Sequence, residues 1–285
     1  WGVIRAVGED VRNFLHGQLT QDVQHLVPGQ ARLAGYCSAK GRLLASFVVW
    51  ARGPQELLLA CSADLLPQTL KRLSMFVLRA KCKLSDASAE LPLHGVAGAS
   101  ASALLGAAPV WTQRALAGGW LLRLPDVDGV PRAMLATAEP PVAPPLAADA
   151  WRGLELRSGI PLIEAATVDQ FVPQMLNYEI VGGVDFRKGC YPGQEVVARS
   201  QYRGTIKRRM FLFEASVPLV AGQEVFHSAD PAQPAGMVVN AAAGLALVEV
   251  KLAALDSGSL HAGTPDGALL TRRELPYALP TDAGL

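Results

Sequence analysis

The sequence predicts an α+β fold, with helices on one side of an antiparallel sheet, followed by a small C-terminal antiparallel β-barrel. Three observations predict it. Amphipathic helical segments alternate with short apolar strands over the first half of the chain. After Gly204 the texture changes to short strands separated by Gly, Pro or Asp, the pattern of a small barrel. Half of the 285 residues are hydrophobic, enough to bury a sizeable core in two or three domains. The division is drawn as an α+β region over 1–200 and a barrel over 201–285.

The elements follow in order. Asp10 caps a short helix whose apolar face is Val11, Phe14, Leu15 and Leu19, and Pro28-Gly29 closes the segment after it. Residues 36–42 read as a turn pivoting on Gly41, followed by strands over 43–50 and 56–60 that form a hairpin. Ser62 caps a helix over 64–77, with Leu65, Leu66, Thr69, Leu70, Leu73 and Phe76 facing inward, and a strand returns over 81–84. The Ala, Gly and Pro-rich stretch 96–109 and the run 140–145 read as irregular connections, with strands over 120–124 and 132–136 between them. A helix over 147–157 stops at Gly159-Ile160-Pro161. Barrel strands are expected over 208–214, 224–227, 237–240, 245–250 and 268–275. No internal repeat is visible.

Composition narrows the function. A formal net charge of +1 gives no global reason to expect a polyanionic partner. Cys37, Cys61, Cys82 and Cys190 are too sparse for a disulfide framework, and reduced thiols in the cytoplasm fit better. No apolar run reaches the roughly 18 residues that span a bilayer, and no signal-peptide pattern follows Trp1. The five histidines are scattered without H-x-x-H or H-E-x-x-H, so no stably bound metal is expected. P-loop, G-x-G-x-x-G and G-x-S-x-G motifs are absent.

The most informative stretch is Lys188-Gly189-Cys190-Tyr191-Pro192-Gly193-Gln194, followed at once by Glu195. A cation beside a cysteine favours the thiolate, the form that attacks electrophiles or binds soft metals. Gly182, Gly183, Gly189, Gly193 and Gly204 let the backbone approach a ligand closely, or simply make turns. Glu179 and Glu195 can pair with Arg187, Lys188 or Arg199, or hold a polar substrate. The basic run Arg199, Arg203, Lys207, Arg208 and Arg209 reads as a solvated strand edge before an anion or RNA site. His16 beside Gly17 reads as structural.

The segment KGCYPGQEVVAR closely resembles the signature of YgfZ-type proteins, folate-binding relatives of the glycine-cleavage T-protein that act in iron-sulfur cluster assembly or repair and affect tRNA modification. Further landmarks resemble the family in the same order: FLHGQLTQD from Phe14, Lys40-Gly41-Arg42, Leu78-Arg79-Ala80-Lys81, Gly159-Ile160-Pro161 and Asn177-Tyr178-Glu179. The resemblance implies a three-lobed cloverleaf around a central folate channel, with tetrahydrofolate or a derivative bound there. Folate presents a flat pterin and an anionic tail, so its receptor needs an apolar slot, amide-like partners and a cation. Tyr36, Arg157, Glu179, Lys188, Gln194, Glu195 and Arg199 are the expected cofactor contacts, and Cys190 with Lys188 the expected reactive pair.

The sequence departs from the aminomethyltransferases of the superfamily. Ala45 and Ser46 stand where the T-protein has an acidic pair, Arg157 replaces a folate-contacting carboxylate, and Ser38 follows Cys37 where the family often has Asp. Neither Ala nor Arg does a carboxylate's acid-base work at neutral pH. The leading expectation is a folate-dependent accessory factor for iron-sulfur proteins or their assembly machinery, without direct nucleic-acid or membrane binding. The alternatives are a one-carbon transferase or demethylase with Glu179 or Glu195 as base, and, last, an RNA-binding module. The last is ranked low because Tyr202 and Phe211 are the only stacking aromatics nearby.

Overall fold

The computed structural model describes residues 1–139, 142, 144–204 and 206–280. Pro140, Pro141 and Ala143 of the run read as irregular therefore lie outside the described residues.

The first sheet is built from β1 (Gly2–Val7), β2 (Ala31–Cys37), β3 (Leu43–Gly53), β4 (Glu56–Cys61) and β5 (Lys83–Asp86), in the order β2-β3-β4-β1-β5. α1 (Val11–His16) and α2 (Leu66–Met75) cover one face. Strand alternation divides the side chains between two cores. Ala34, Tyr36, Ala45, Phe47 and Val49 pack under the helices, whereas Leu33, Val48 and Trp50 point to the opposite side.

The second sheet holds β6 (Leu93–Ala97), β7 (Gln113–Leu116), β8 (Gly119–Val127) and β9 (Val130–Thr137), in the order β6-β9-β8-β7, with α3 (Ala99–Leu105) on one face. Here the sequence reading needs correction, because 96–109 was expected to be irregular. Ala101 and Leu105, four residues apart, are enough to seat a helix on Leu121, Ala133 and Leu135. β2 likewise runs through Tyr36 and Cys37, which had been read as turn.

α4 (Ala148–Arg157) leads into two 3₁₀ turns and then α5 (Gln194–Tyr202). α5 overturns the reading of Arg199 and Arg203 as a strand edge: Arg199 is helical, Arg203 ends the helix, and strand begins only at Arg208. The C-terminal barrel is closed in the order β10 (Arg208–Glu214), β13 (Leu245–Lys251), β12 (Asp230–Ala242), β11 (Glu224–His227), β14 (Leu260–Ala262) and β15 (Ala268–Arg273). Phe211, Phe213, Val238 and Val248 fill its interior. The outward-facing Met210, Leu212, Val239 and Leu247 join Leu33, Val48, Leu122 and Met134 of the two sheets in one central cluster.

Candidate functional site

Where the two sheets and the barrel meet lies a largely apolar cavity, open to solvent at its mouth. Leu33 and Val48 come from the first sheet, Leu124 and Met134 from the second, Ala241 and Ala242 from the barrel, and Ile160 and Pro161 from the stop after α4. Trp1 and Trp111 supply flat aromatic surface.

Two charged groups in this wall lack full partners. Arg132 shares its side of β9 with Met134, while Ala133 and Leu135 face α3, so strand parity turns the guanidinium into the cavity. The residue is 2% exposed. Its Nε donates to Pro125 O at 3.0 Å, the one hydrogen bond it makes among the described residues. Burial pushes its pKa down to about 10, opposed by Glu155 and Asp126, so the cation persists at neutral pH. Glu155 lies on α4, where Arg152, Glu155 and Leu156 form one stripe along the cavity. Its Oε1 accepts from Trp1 Nε1 at 2.8 Å, while Oε2 is buried without a hydrogen-bond partner, 3.7 Å from Arg152 Nη1.

The other polar groups of the wall are occupied. Ser46 Oγ accepts from the Ile163 amide at 2.9 Å, and Ser158 Oγ donates to Glu155 O at 2.6 Å. Asn240 accepts from the Leu162 amide at 3.0 Å and donates to Leu162 O at 2.7 Å and Glu164 Oε2 at 3.1 Å. Arg152 pairs with Glu164 at 3.0 Å.

Cys190 lies elsewhere. It is exposed in the loop before α5 and does not line the cavity. Gly193, at φ +78°, turns that loop into the helix, and an added Cβ there would come within 2.3 Å of Ser38 O, so the loop rests directly on the β2–β3 turn. Lys188 is buried, its Nζ donating to the carbonyls of His16 and of Leu19, the latter at 2.7 Å, and lying 4.9 Å from the centre of the Tyr191 ring. Burial lowers its pKa to about 8, opposed by Asp22, Asp185 and Cys190. The ammonium thus ties the thiol loop to the end of α1. His16 is held by Asp22, Nδ1 to Oδ1 at 3.1 Å.

The other residues singled out from sequence are dispersed. Tyr36 is buried under the helices, on the face of β2 away from the cavity. Arg157 turns outward to Asp128, with Nε 3.2 Å from Oδ2. Glu179 pairs with the buried Arg209 at 2.5 Å, which also donates to Gln174 O at 3.0 Å. Gln194 opens α5, and Glu195 and Arg199 form an exposed pair at 2.6 Å. None of these lines the cavity. Sequence reasoning missed Arg132 altogether, and it quoted Glu155 only for its position in a motif. Among the described residues no three His, Cys, Asp or Glu side chains gather as a metal site, and no helix is long and apolar enough to cross a membrane.

Comparisons with known proteins bear on this arrangement. No protein-family model matches the chain. The tRNA-modifying protein YgfZ of Edwardsiella ictaluri is 36% identical over 246 residues, covering 76% of this chain and 69% of the relative. That of Klebsiella pneumoniae is 31% identical, covering 98% and 91%. Among solved structures, the glycine cleavage system aminomethyltransferase T from Bartonella henselae matches with a TM-score of 0.74 at 15% identity, over 96% of this chain and 83% of that one. The latter likeness establishes a shared fold, and the sequence identity over nearly the whole length establishes the kinship: this chain belongs to the YgfZ family.

Proposed function

We propose that the chain binds a reduced folate in the central cavity and serves as an accessory factor for iron-sulfur proteins, with Cys190 as its working thiol. The observation that carries the folate reading is an apolar, Trp-lined slot in which one guanidinium and one carboxylate are only partly partnered by the protein. A pterin is flat and has both acceptors and donors on its edge, which suits such a slot. In this reading the two sheets and the barrel are the lobes of a cloverleaf, and the cavity is the mouth of its central channel. The relatives are named for tRNA modification, and an influence on tRNA through iron-sulfur enzymes fits an exposed thiol better than direct RNA chemistry does. Cys190 stands apart from the cavity wall, so folate acts here as a bound regulator or structural ligand and not as the thiol's reaction partner.

Titration of the purified protein with tetrahydrofolate, followed by tryptophan fluorescence, tests the first half, since Trp1 and Trp111 line the slot. Saturable quenching is expected, and no binding of any folate refutes the reading. For the second half, Cys190→Ala is expected to abolish rescue of iron-sulfur enzyme activity in cells lacking the protein while leaving folate affinity intact. Unchanged rescue removes the thiol's role.

One observation favours one-carbon transfer as a second reading: Glu155 puts a carboxylate on the cavity wall despite the loss of the T-protein's acidic pair. Turnover of an amine donor with tetrahydrofolate supports it, and binding without turnover excludes it.

A further inference from the structure

Arg132 and Glu155 face one cavity as neighbours without bonding to each other. The Arg132 guanidinium lies 5.8 Å from the centre of the Trp151 ring, and Trp151 precedes Glu155 by one turn of α4. The two charges feel each other, yet no ion pair joins them among the described residues. A cation 2% exposed whose one hydrogen bond among the described residues is from Nε to Pro125 O, and a carboxylate whose buried Oε2 has no hydrogen bond and only Arg152 Nη1 at 3.7 Å, are costly in an apolar wall unless a ligand completes them. The remaining polar side chains there are spent on the protein itself.

We infer that Arg132 and Glu155 together read the edge of a cyclic amide, and so select a 4-oxo pteridine over its 4-amino counterpart. The inference rests on the folate reading of the cavity. A carboxylate only accepts and a guanidinium only donates. The 4-oxo ring offers N3–H and the 2-amino group, both donors, to Glu155, and beside them the C4 carbonyl, an acceptor, to Arg132. A 4-amino group instead turns N–H donors toward a donor and leaves N3 without its hydrogen. Protonating the ring restores a contact to the carboxylate, but it places a positive ring beside the buried guanidinium. A site built around a hydrogen-bonding group discriminates strongly, because the mismatched ligand leaves buried polar groups unpaired.

The test compares tetrahydrofolate with tetrahydroaminopterin, which differ only at position 4, by anaerobic calorimetric titration of the full chain. The wild type is expected to prefer tetrahydrofolate by at least about 100-fold. Arg132→Met is expected to collapse that ratio toward unity, mainly by weakening tetrahydrofolate, and Arg132→Lys to retain part of it. If Arg132→Met fails to fold, the wild-type ratio and the Lys variant decide. Equal wild-type affinities overturn the inference while leaving the folate reading standing. A preference that survives Arg132→Met also overturns it. Failure of both compounds to bind removes the folate reading and the inference together.

Discussion

Replacing Gly193 by alanine introduces a methyl group where the thiol loop meets the β2–β3 turn. At φ +78° the new Cβ would lie 2.3 Å from Ser38 O, 2.6 Å from Gly41 Cα and 2.6 Å from Gly41 N. These are backbone atoms, fixed by the bonds Ser38 N to Arg42 O at 2.8 Å and Gly41 N to Ser38 O at 2.9 Å, so no flexible side chain can yield. Left-handed backbone costs a residue with a Cβ about 1–2 kcal/mol, and forcing a methyl into filled space costs about 1–3 more. The sum, about 2–5 kcal/mol, lowers the melting temperature by roughly 4–20 °C at about 2–4 °C per kcal/mol for a chain of this size class. Scanning calorimetry reads the midpoint, and the alkylation rate of Cys190, three residues upstream, reports the displacement of its loop. A midpoint within about 2 °C of wild type with an unaltered alkylation rate refutes the steric reasoning.

Gly153 is the counterexample: it lies inside α4, an added Cβ meets nothing within 4 Å, and Gly153→Ala is expected to stabilise by about 0.5–1 kcal/mol in urea unfolding. Native-state alkylation at pH 8 followed by mass spectrometry is expected to label exposed Cys190 first and half-buried Cys82, its pKa pushed up to about 11 by burial, more slowly. Cys61, held at about 12, and Cys37, raised further, should react only after unfolding. Arg209→Met strands Glu179 in the interior and is expected to cost about 3–5 kcal/mol at pH 8. Burial holds the Glu179 pKa above its usual value and Arg209 opposes that rise, so removing the cation raises it further. The folded variant then takes up a proton that the unfolded chain does not, and its deficit should shrink as pH falls from 8 to 5. A deficit constant across that range contradicts the assignment.

The helix over Ala148–Arg157 and five of the six barrel strands were legible because their cues are local, a periodic apolar face with a Gly-Ile-Pro stop and short runs punctuated by Gly and Asp, whereas the three-residue β14 was missed. α5 was hidden because only Val197 of its nine residues is buried, so its sequence carries almost no helical stripe, and the flanking glycines and arginines read as loop and edge. Site residues were harder for a different reason. Whether Tyr36 or Leu33 faces the cavity depends on the parity of β2 within a sheet whose pairing joins distant segments, and the same holds for Arg132 on β9. The one signal available for Glu155 was its helical phase with Arg152 and Leu156, which puts Arg157 on a different face. The KGCYPGQE motif pointed to the family correctly, yet its residues surround a surface loop, and the cavity is walled by residues that no motif marks.

Because the cavity takes its walls from two sheets, a barrel and a helix, no single unit can hold a ligand that fills it. Such a ligand binds only the assembled chain and adds to its cohesion by mass action, about 2.7 kcal/mol at a hundredfold excess over its dissociation constant. For a folate-binding chain this makes endurance a readout of supply. On the folate reading proposed above, abundance of the protein is expected to fall as the cellular folate pool is depleted.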